Sequence, residues 1–164
     1  MQLSFWEMSQ WFDNVDVVVL GSGIVGLHSA YFIKKNNPRL NVIIIERGFL
    51  PYGASTRNAG FACIGSASEI LNDLEKESEE NVFQRVEKRY KGLLGLRELL
   101  GDENIDFQQN SGFEIFTETD GKSFRECESK LEYLNTQLKF ITKDNTYILS
   151  NERIEQFGLN KVEN

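Results

Sequence analysis

The chain is poor in the residues that build disulfide frameworks and metal centres. It has two cysteines, Cys63 and Cys127, and a single histidine among 164 residues. Two cysteines are too few for a disulfide framework, and these two stand in neither a CxxC pair nor a zinc-ligand spacing. The composition therefore argues against a structural or catalytic metal site. It also favours a reducing, cytoplasmic setting.

Long apolar runs and positive charge are also scarce. No stretch reaches the length of a membrane-spanning helix, and the N-terminus lacks the basic and apolar regions of a secretory signal. The net charge is -7, which argues against a nucleic-acid backbone or an anionic membrane surface as the main partner. The apolar content is ordinary and includes 12 Phe, so the chain is long enough and apolar enough for a globular core.

The most informative stretch of the chain begins at Val15 and predicts a strand, a helix and a second strand. The β-branched run at 15–20 is typical of a buried strand. Apolar spacing predicts a helix from Ile24 to about Lys35, and the Asn-Asn-Pro at 36–38 ends it. The run Val42–Ile45 predicts the second strand. These elements form one right-handed βαβ unit of an α/β fold.

The turn between the first strand and the helix reads GSGIVG at 21–26 and fits the pattern GxGxxG. Its first glycine permits a tight turn, its second lets the backbone approach a pyrophosphate, and its third lets the helix lie close to the strand. Glu46 follows the second strand, at the spacing expected for an acid that accepts a hydrogen bond from a ribose 2′-OH. Such an acid disfavours a 2′-phosphate, although the adjacent Arg47 weakens that inference. The pattern predicts a site for the ADP half of a dinucleotide, and a glycine turn without a ligand is the alternative.

The segment Gly53–Gly60, GASTRNAG, narrows the dinucleotide. With it the chain resembles the FAD-dependent oxidoreductases of the D-amino-acid oxidase type, which include glycine, sarcosine and γ-glutamylputrescine oxidases. In that family a GAS-x-R/K-N-A/G-G segment follows the ribose-binding acid, and the resemblance is strong over about Val15–Gly65. It implies a Rossmann-like FAD-binding unit, with FAD as the cofactor. A glycine-rich surface loop without a ligand is the alternative interpretation of this segment.

The resemblance also implies a role for each matching position. The glycine turn holds the pyrophosphate, Glu46 holds the adenosine ribose, and Arg47 lies beside the adenine. Ala54 and Ser55 run along the pyrophosphate and ribityl chain. Residues 57–60 approach the isoalloxazine end, where an asparagine side chain or backbone N–H groups can tune the redox-active ring. The cofactor-binding residues implied in this way are Gly21, Gly23, Ile24, Val25, Gly26, Glu46, Arg47, Ala54, Ser55, Arg57, Asn58, Ala59 and Gly60.

The rest of the chain is predicted to be mainly helical. We expect an N-terminal arm at 1–14 that packs its aromatic side chains on the domain, and an FAD-binding βαβ unit with its flavin loop at 15–66. We expect a helical region with a few strands at 67–164, as the start of a substrate-binding or cap part. The spacing of apolar residues predicts helices at 69–74, 81–100, 121–140 and 150–158, and strands at 112–117 and 147–149.

The predicted sheet is incomplete, because a doubly wound sheet needs several parallel strands and only two clear ones precede the flavin loop. The resemblance implies that family members are about twice this length, and that their later half supplies further strands and a group that binds the substrate's carboxylate. The chain is therefore expected to be the N-terminal FAD-binding part of an enzyme that oxidises a C–N bond of an amine or amino acid by hydride transfer to flavin. No residue in it is assigned as a catalytic acid or base.

Two other functions stay open. The chain is alternatively a non-catalytic fragment or split-gene half that acts only by association with itself or with a separate C-terminal half, which would cover an open strand edge. A NAD-dependent dehydrogenase is the third interpretation, and the GASTRNAG segment and the incomplete sheet argue against it.

Overall fold

The computed structural model describes residues 3–150 and Gly158. These residues divide into two compact units on either side of the bond between Phe61 and Ala62. The first unit is α/β and the second is helical. The helix predicted at 150–158 lies outside the described residues, apart from its two ends.

The first unit contains the predicted strand, helix and strand. Strand β1 spans Val17–Leu20, helix α2 spans Ile24–Asn36, and strand β2 spans Val42–Ile45. The two strands are parallel, with Val17 opposite Val42. This pairing confirms an α/β unit with a parallel sheet that is not closed, and the sheet has two strands among the described residues.

The two faces of β1 are covered to different extents. Val17 and Val19 are half-buried, and a side-chain atom of Val19 lies under Gly26 of α2. The alternate residues Val18 and Leu20 are 48% and 80% exposed. Because successive side chains of a strand point to opposite faces, one face of β1 meets α2 and the other leaves apolar side chains in solvent.

A short helix, α1, spans Phe5–Trp11 and precedes the strands. Ser4 and Glu7 form a capping box: the Ser4 N–H donates to Glu7 Oε2 at 2.7 Å, and the Glu7 N–H donates to Ser4 Oγ at 3.2 Å. No residue of this helix is buried, and Trp6 is 72% exposed. The aromatic side chains of the arm therefore do not pack on the domain as the sequence predicted.

In its described residues, the second unit has three α-helices and one turn of 3-10 helix at Glu118–Asp120. Helix α3 spans Ala67–Leu74, α4 spans Glu79–Leu100 and α5 spans Gly121–Thr142. Serine side chains cap the first two, since the Glu69 N–H donates to Ser66 Oγ and the Asn81 N–H donates to Ser78 Oγ. Their apolar faces form one core cluster. Its buried residues are Ala67, Ile70, Leu71, Val82, Val86, Cys127, Leu134 and Leu138.

The two strands predicted in the second unit, at 112–117 and 147–149, do not form in the described residues. Phe116 instead packs against the helical core, and Glu114 accepts bonds from the Ser66 and Ser68 hydroxyls. Tyr147 is hydrogen-bonded to α5: its N–H donates to Asn135 Oδ1 at 2.9 Å. Both segments therefore use side-chain contacts in place of a strand ladder.

Candidate functional site

A cleft of about 510 Å³ opens where the first unit's two strands end. Ligands of open α/β sheets bind at this position, beyond the carboxyl ends of the strands, and the volume is in the range of small-molecule sites. The residues lining the cleft are Leu20, Gly21, Gly23, Ile45, Glu46, Arg47, Gly48, Pro51, Tyr52, Gly53 and Ser55.

The first and third glycines of the turn are required by the backbone itself. Gly21 has a φ of 94°, a conformation that L side chains rarely adopt, and its N–H donates to Ile45 O at 2.7 Å. A Cβ at Gly26 would lie 2.1 Å from Gly21 O, so a side chain there would force the helix away from the turn. The tight exit from β1 and the close approach of α2 therefore both depend on glycine.

Helix α2 begins at this turn and directs its positive end into the same region. Its N-cap, Gly23, has no side chain to offer, and the Ile24 N–H donates to Ser55 Oγ at 2.9 Å instead. Among the described residues, no acceptor is bonded to the N–H groups of Val25 and Gly26. Unpaired N–H groups at the positive end of a helix provide an anion site, as a pyrophosphate requires.

Glu46 lines the same cleft and is held by its neighbours. Its Oε2 accepts from the Ser22 N–H at 2.8 Å and the Ser22 hydroxyl at 3.0 Å, and its Oε1 accepts from the Gly48 N–H at 3.2 Å. These bonds, with the Ser22 N–H first, lower the pKa of Glu46 to about 2. The carboxylate is ionised and half-buried, and it retains lone pairs for a hydroxyl donor such as a ribose.

The segment Gly53–Gly60 leaves the cleft after Ser55. Residues Ala54–Thr56 form one turn of 3-10 helix, and the following residues bond within the segment. The Arg57 guanidinium lies over the Tyr52 ring, 5.6 Å from its centroid. Gly60 takes a φ of 74° and its N–H donates to Asn58 Oδ1 at 2.8 Å.

The structure brings five of the residues implied by the sequence together around the cleft: Gly21, Gly23, Glu46, Arg47 and Ser55. Ile24, Val25 and Gly26 form the first turn of α2 beside it. The remaining five do not line the cleft of the first unit. They are Ala54, Arg57, Asn58, Ala59 and Gly60.

The sequence did not single out Ser22, Gly48 and Pro51, which also line or close the cleft. The signal for Ser22 was its place inside the glycine turn, because a hydroxyl one residue before the N-cap is positioned to meet an acid at the next strand end. Gly48 and Pro51 gave no signal of this kind. Their contribution follows from how the chain turns after Glu46.

No cluster of three or more metal-ligating side chains occurs within the described residues. In the same part of the chain, no helix has both the length and the apolarity to cross a membrane. The donors and acceptors at the cleft and at the adjoining start of α2 are backbone N–H groups, the Ser55 hydroxyl, the Arg47 guanidinium and the Glu46 carboxylate. That set fits a phosphate beside a ribose hydroxyl, as in the ADP half of FAD.

Comparison with known proteins bears on the cofactor. The family model described as DAO, FAD dependent oxidoreductase, matches residues 16–159. Sarcosine oxidase subunit beta from Arthrobacter sp. is 38% identical over 53 residues, which are 32% of this chain and 13% of that protein. The matched stretch is therefore a small part of the relative's length. No solved structure matches the chain significantly.

Proposed function

This chain belongs to the family of FAD dependent oxidoreductases, and we propose that its first compact unit binds the ADP half of FAD in an enzyme that oxidises a C–N bond. FAD is the cofactor of this family. One observation carries the proposal: the first turn of α2, with its unpaired N–H groups, begins beside the cleft that the Glu46 carboxylate lines. The N–H groups suit a phosphate, and the carboxylate suits a ribose hydroxyl.

In this proposal the chain's own groups bind and orient the cofactor. The N–H groups of Val25 and Gly26 donate to the pyrophosphate, and Gly23 leaves room for its oxygens. In the proposed complex the Glu46 carboxylate accepts from the ribose hydroxyls, and Arg47, which lines the same cleft, lies beside the adenine. When bound, FAD supplies the hydride acceptor for the oxidation. The residues described here contribute by holding it in one orientation.

The proposed substrate is a small amine or amino acid. It is supported by the family membership and by the similarity to a protein named sarcosine oxidase subunit beta. The same name identifies that relative as one subunit of an enzyme, which supports association with a further chain as part of the proposal. The cytoplasmic location expected from the sequence stays a prediction.

The experiment that tests this function is a titration of the purified chain with FAD and with ADP. We expect quenching of flavin fluorescence by the chain, and competition by ADP for the same site. Gly23→Ala should weaken both ligands about tenfold, because a Cβ there would take the space of a phosphate oxygen. It would also press on Ser55 Oγ, which would lie 3.1 Å from it.

Gly112→Ala is the matched control, since a Cβ at Gly112 meets nothing within 4 Å. Its affinity for both ligands should equal that of the unaltered chain. A chain that folds but takes up neither FAD nor ADP would contradict the proposal, and so would a Gly23→Ala variant that binds both at unchanged affinity.

A second candidate function is association alone, as a non-catalytic part of a larger assembly. The exposed apolar face of β1 favours it, since Leu20 is 80% exposed and Val18 is 48% exposed. Size-exclusion chromatography with light scattering tests it directly. A monomer at all concentrations that binds FAD would reject this candidate, whereas a concentration-dependent oligomer that binds no nucleotide would favour it.

A further inference from the structure

We propose that Asn58 is a positioning residue, which holds Ser55 against the first turn of α2 and acts on the cofactor through Ser55. The inference rests on the proposed function. It is based on the three hydrogen bonds that the Asn58 side chain makes within the segment. The amide nitrogen Nδ2 donates to Ala54 O at 3.0 Å and to Ser55 O at 3.2 Å, and Oδ1 accepts from the Gly60 N–H at 2.8 Å.

These three bonds use both N–H donors of the amide and one lone pair of its oxygen. An Asn side chain that donated to the flavin ring would have to give up one of the two carbonyl partners. The role implied by the family resemblance for Asn58, as a donor near the isoalloxazine, therefore competes with contacts inside the segment. The structure favours the internal contacts.

The segment needs such contacts because packing does not hold it in place. Every residue of Gly53–Gly60 is exposed, so buried apolar area contributes little to its order. Thr56 provides a second tie, since its hydroxyl lies 2.5 Å from Pro51 O and 3.2 Å from Gly53 O. Thr56 fixes the segment to Pro51, and Asn58 joins Ala54 and Ser55 to Gly60 within the segment. Ser55 lies between the two ties.

Ser55 is the one residue of the segment that reaches α2 among the contacts the structure describes. Its Oγ accepts from the Ile24 N–H at 2.9 Å, and no acceptor for its own O–H occurs in residues 3–150. The hydroxyl can therefore cap the helix and still donate a hydrogen bond to a phosphate oxygen. This double use requires that Ser55 be held in place before the ligand arrives, because ordering it afterwards would cost affinity.

The test compares ADP with FAD, since ADP lacks the flavin ring. Asn58→Ala should weaken the binding of both ligands by the same factor of about five, the ratio expected for one net hydrogen bond of preorganisation. Asn36→Ala is the matched control, since Asn36 is exposed and its side chain makes no hydrogen bond within the described residues. It should bind both ligands as the unaltered chain does. Asn58→Ser should recover part of the loss, because a hydroxyl can still accept the Gly60 N–H.

A double-mutant cycle with Ser55→Ala separates action through Ser55 from any other effect. In the Ser55→Ala background, Asn58→Ala should cause no further loss of ADP affinity, and circular dichroism should show both variants folded. A loss for FAD but not for ADP would overturn the inference in favour of a ring contact. Additive losses would overturn it as well. Failure of the unaltered chain to bind either ligand would mean that the proposed function itself is wrong.

Discussion

Hydrogen bonds from Ser22 and Gly48 stabilise the ionised form of Glu46. The Ser22 N–H, the Gly48 N–H and the Ser22 hydroxyl stabilise the charged form and lower the pKa of Glu46 from 4.5 to about 2. Since the pKa is lower in the folded chain than in the unfolded one, the contribution to stability is complete above about pH 4.5. It is lost as the pH falls through about 2.

We therefore predict that a carbon-detected NMR titration of the Glu46 carboxyl will give a pKa close to 2. Ser22→Ala should raise that pKa while leaving it below 4.5, because the variant loses the hydroxyl and keeps the Ser22 N–H bond. Glu46→Gln should remove the loss of folding stability that the Glu46 carboxylate causes as the pH falls from about 4.5 to about 2. A Glu46 pKa at 4.5 in the unaltered chain would mean that these bonds do not form in solution.

The position of Glu46 could be predicted from the sequence, but the contact between Ser55 and the first turn of α2 could not. Its distance from the glycine turn and its place after an apolar run predict that it is the acid of a dinucleotide site. The bond between Ser55 Oγ and the Ile24 N–H joins residues 31 positions apart. No local pattern contains it, because it depends on how the segment after Glu46 folds back to the turn.

At the level of elements, the packing of α2 on β1 depends on Gly26. A Cβ at this position would lie 2.1 Å from Gly21 O and 3.4 Å from a methyl carbon of Val19. Backbone oxygen cannot move aside as a flexible side chain can. We predict that Gly26→Ala lowers the free energy of unfolding by about 1–3 kcal/mol, measured by urea denaturation followed by circular dichroism.

Gly92→Ala is the matched control and should have the opposite sign. Gly92 lies inside α4, and a Cβ there meets nothing within 4 Å. Ala in place of Gly inside a helix stabilises it by about 0.5–1 kcal/mol. If both variants change stability in the same direction, the close approach of α2 to Gly21 is not the cause of the Gly26 effect.

Elements whose start and stop residues stand in the local sequence could be predicted. A strand that depends on a distant partner could not. A β-branched run, a glycine turn and an Asn-Pro stop give β1 and α2 their bounds within two residues. The alternation of Phe113 and Ile115 is also typical of a strand, yet 112–117 has no strand neighbour in the described residues. Strand formation depends on a partner elsewhere in the chain, and alternation says nothing about whether that partner exists.

At the level of the whole molecule, apolar side chains remain exposed in both units. In the first unit they include Val18 and Leu20 of β1, and in the second Phe140 of α5 is 86% exposed. Isolated exposed apolar residues are ordinary, but neighbouring ones on one strand are typical of surfaces that other chains cover. The low share of fully buried residues was not evident in the composition, which has the apolar content of an ordinary domain.

We predict that Val18→Thr lowers self-association of the chain without unfolding it. Thr has nearly the shape of Val and a high preference for strands, so the pairing with β2 should persist. The measurement is light scattering over a concentration series. Phe140→Ser serves as the control, because it removes an exposed apolar side chain far along the chain from β1. Equal effects of the two substitutions would show that association is not specific to the face of β1.

The hydrogen bonds that Glu46 already makes also determine what its contact with a ligand is worth. An incoming hydroxyl group replaces either the Ser22 hydroxyl or a water on a remaining lone pair, so one hydrogen bond is exchanged for another and the net gain is small. A ligand with a negative group at that place brings no donor and adds repulsion. In the proposed site, Glu46 therefore contributes to discrimination between ligands rather than to affinity, through the repulsion of a ligand with a negative group at that place.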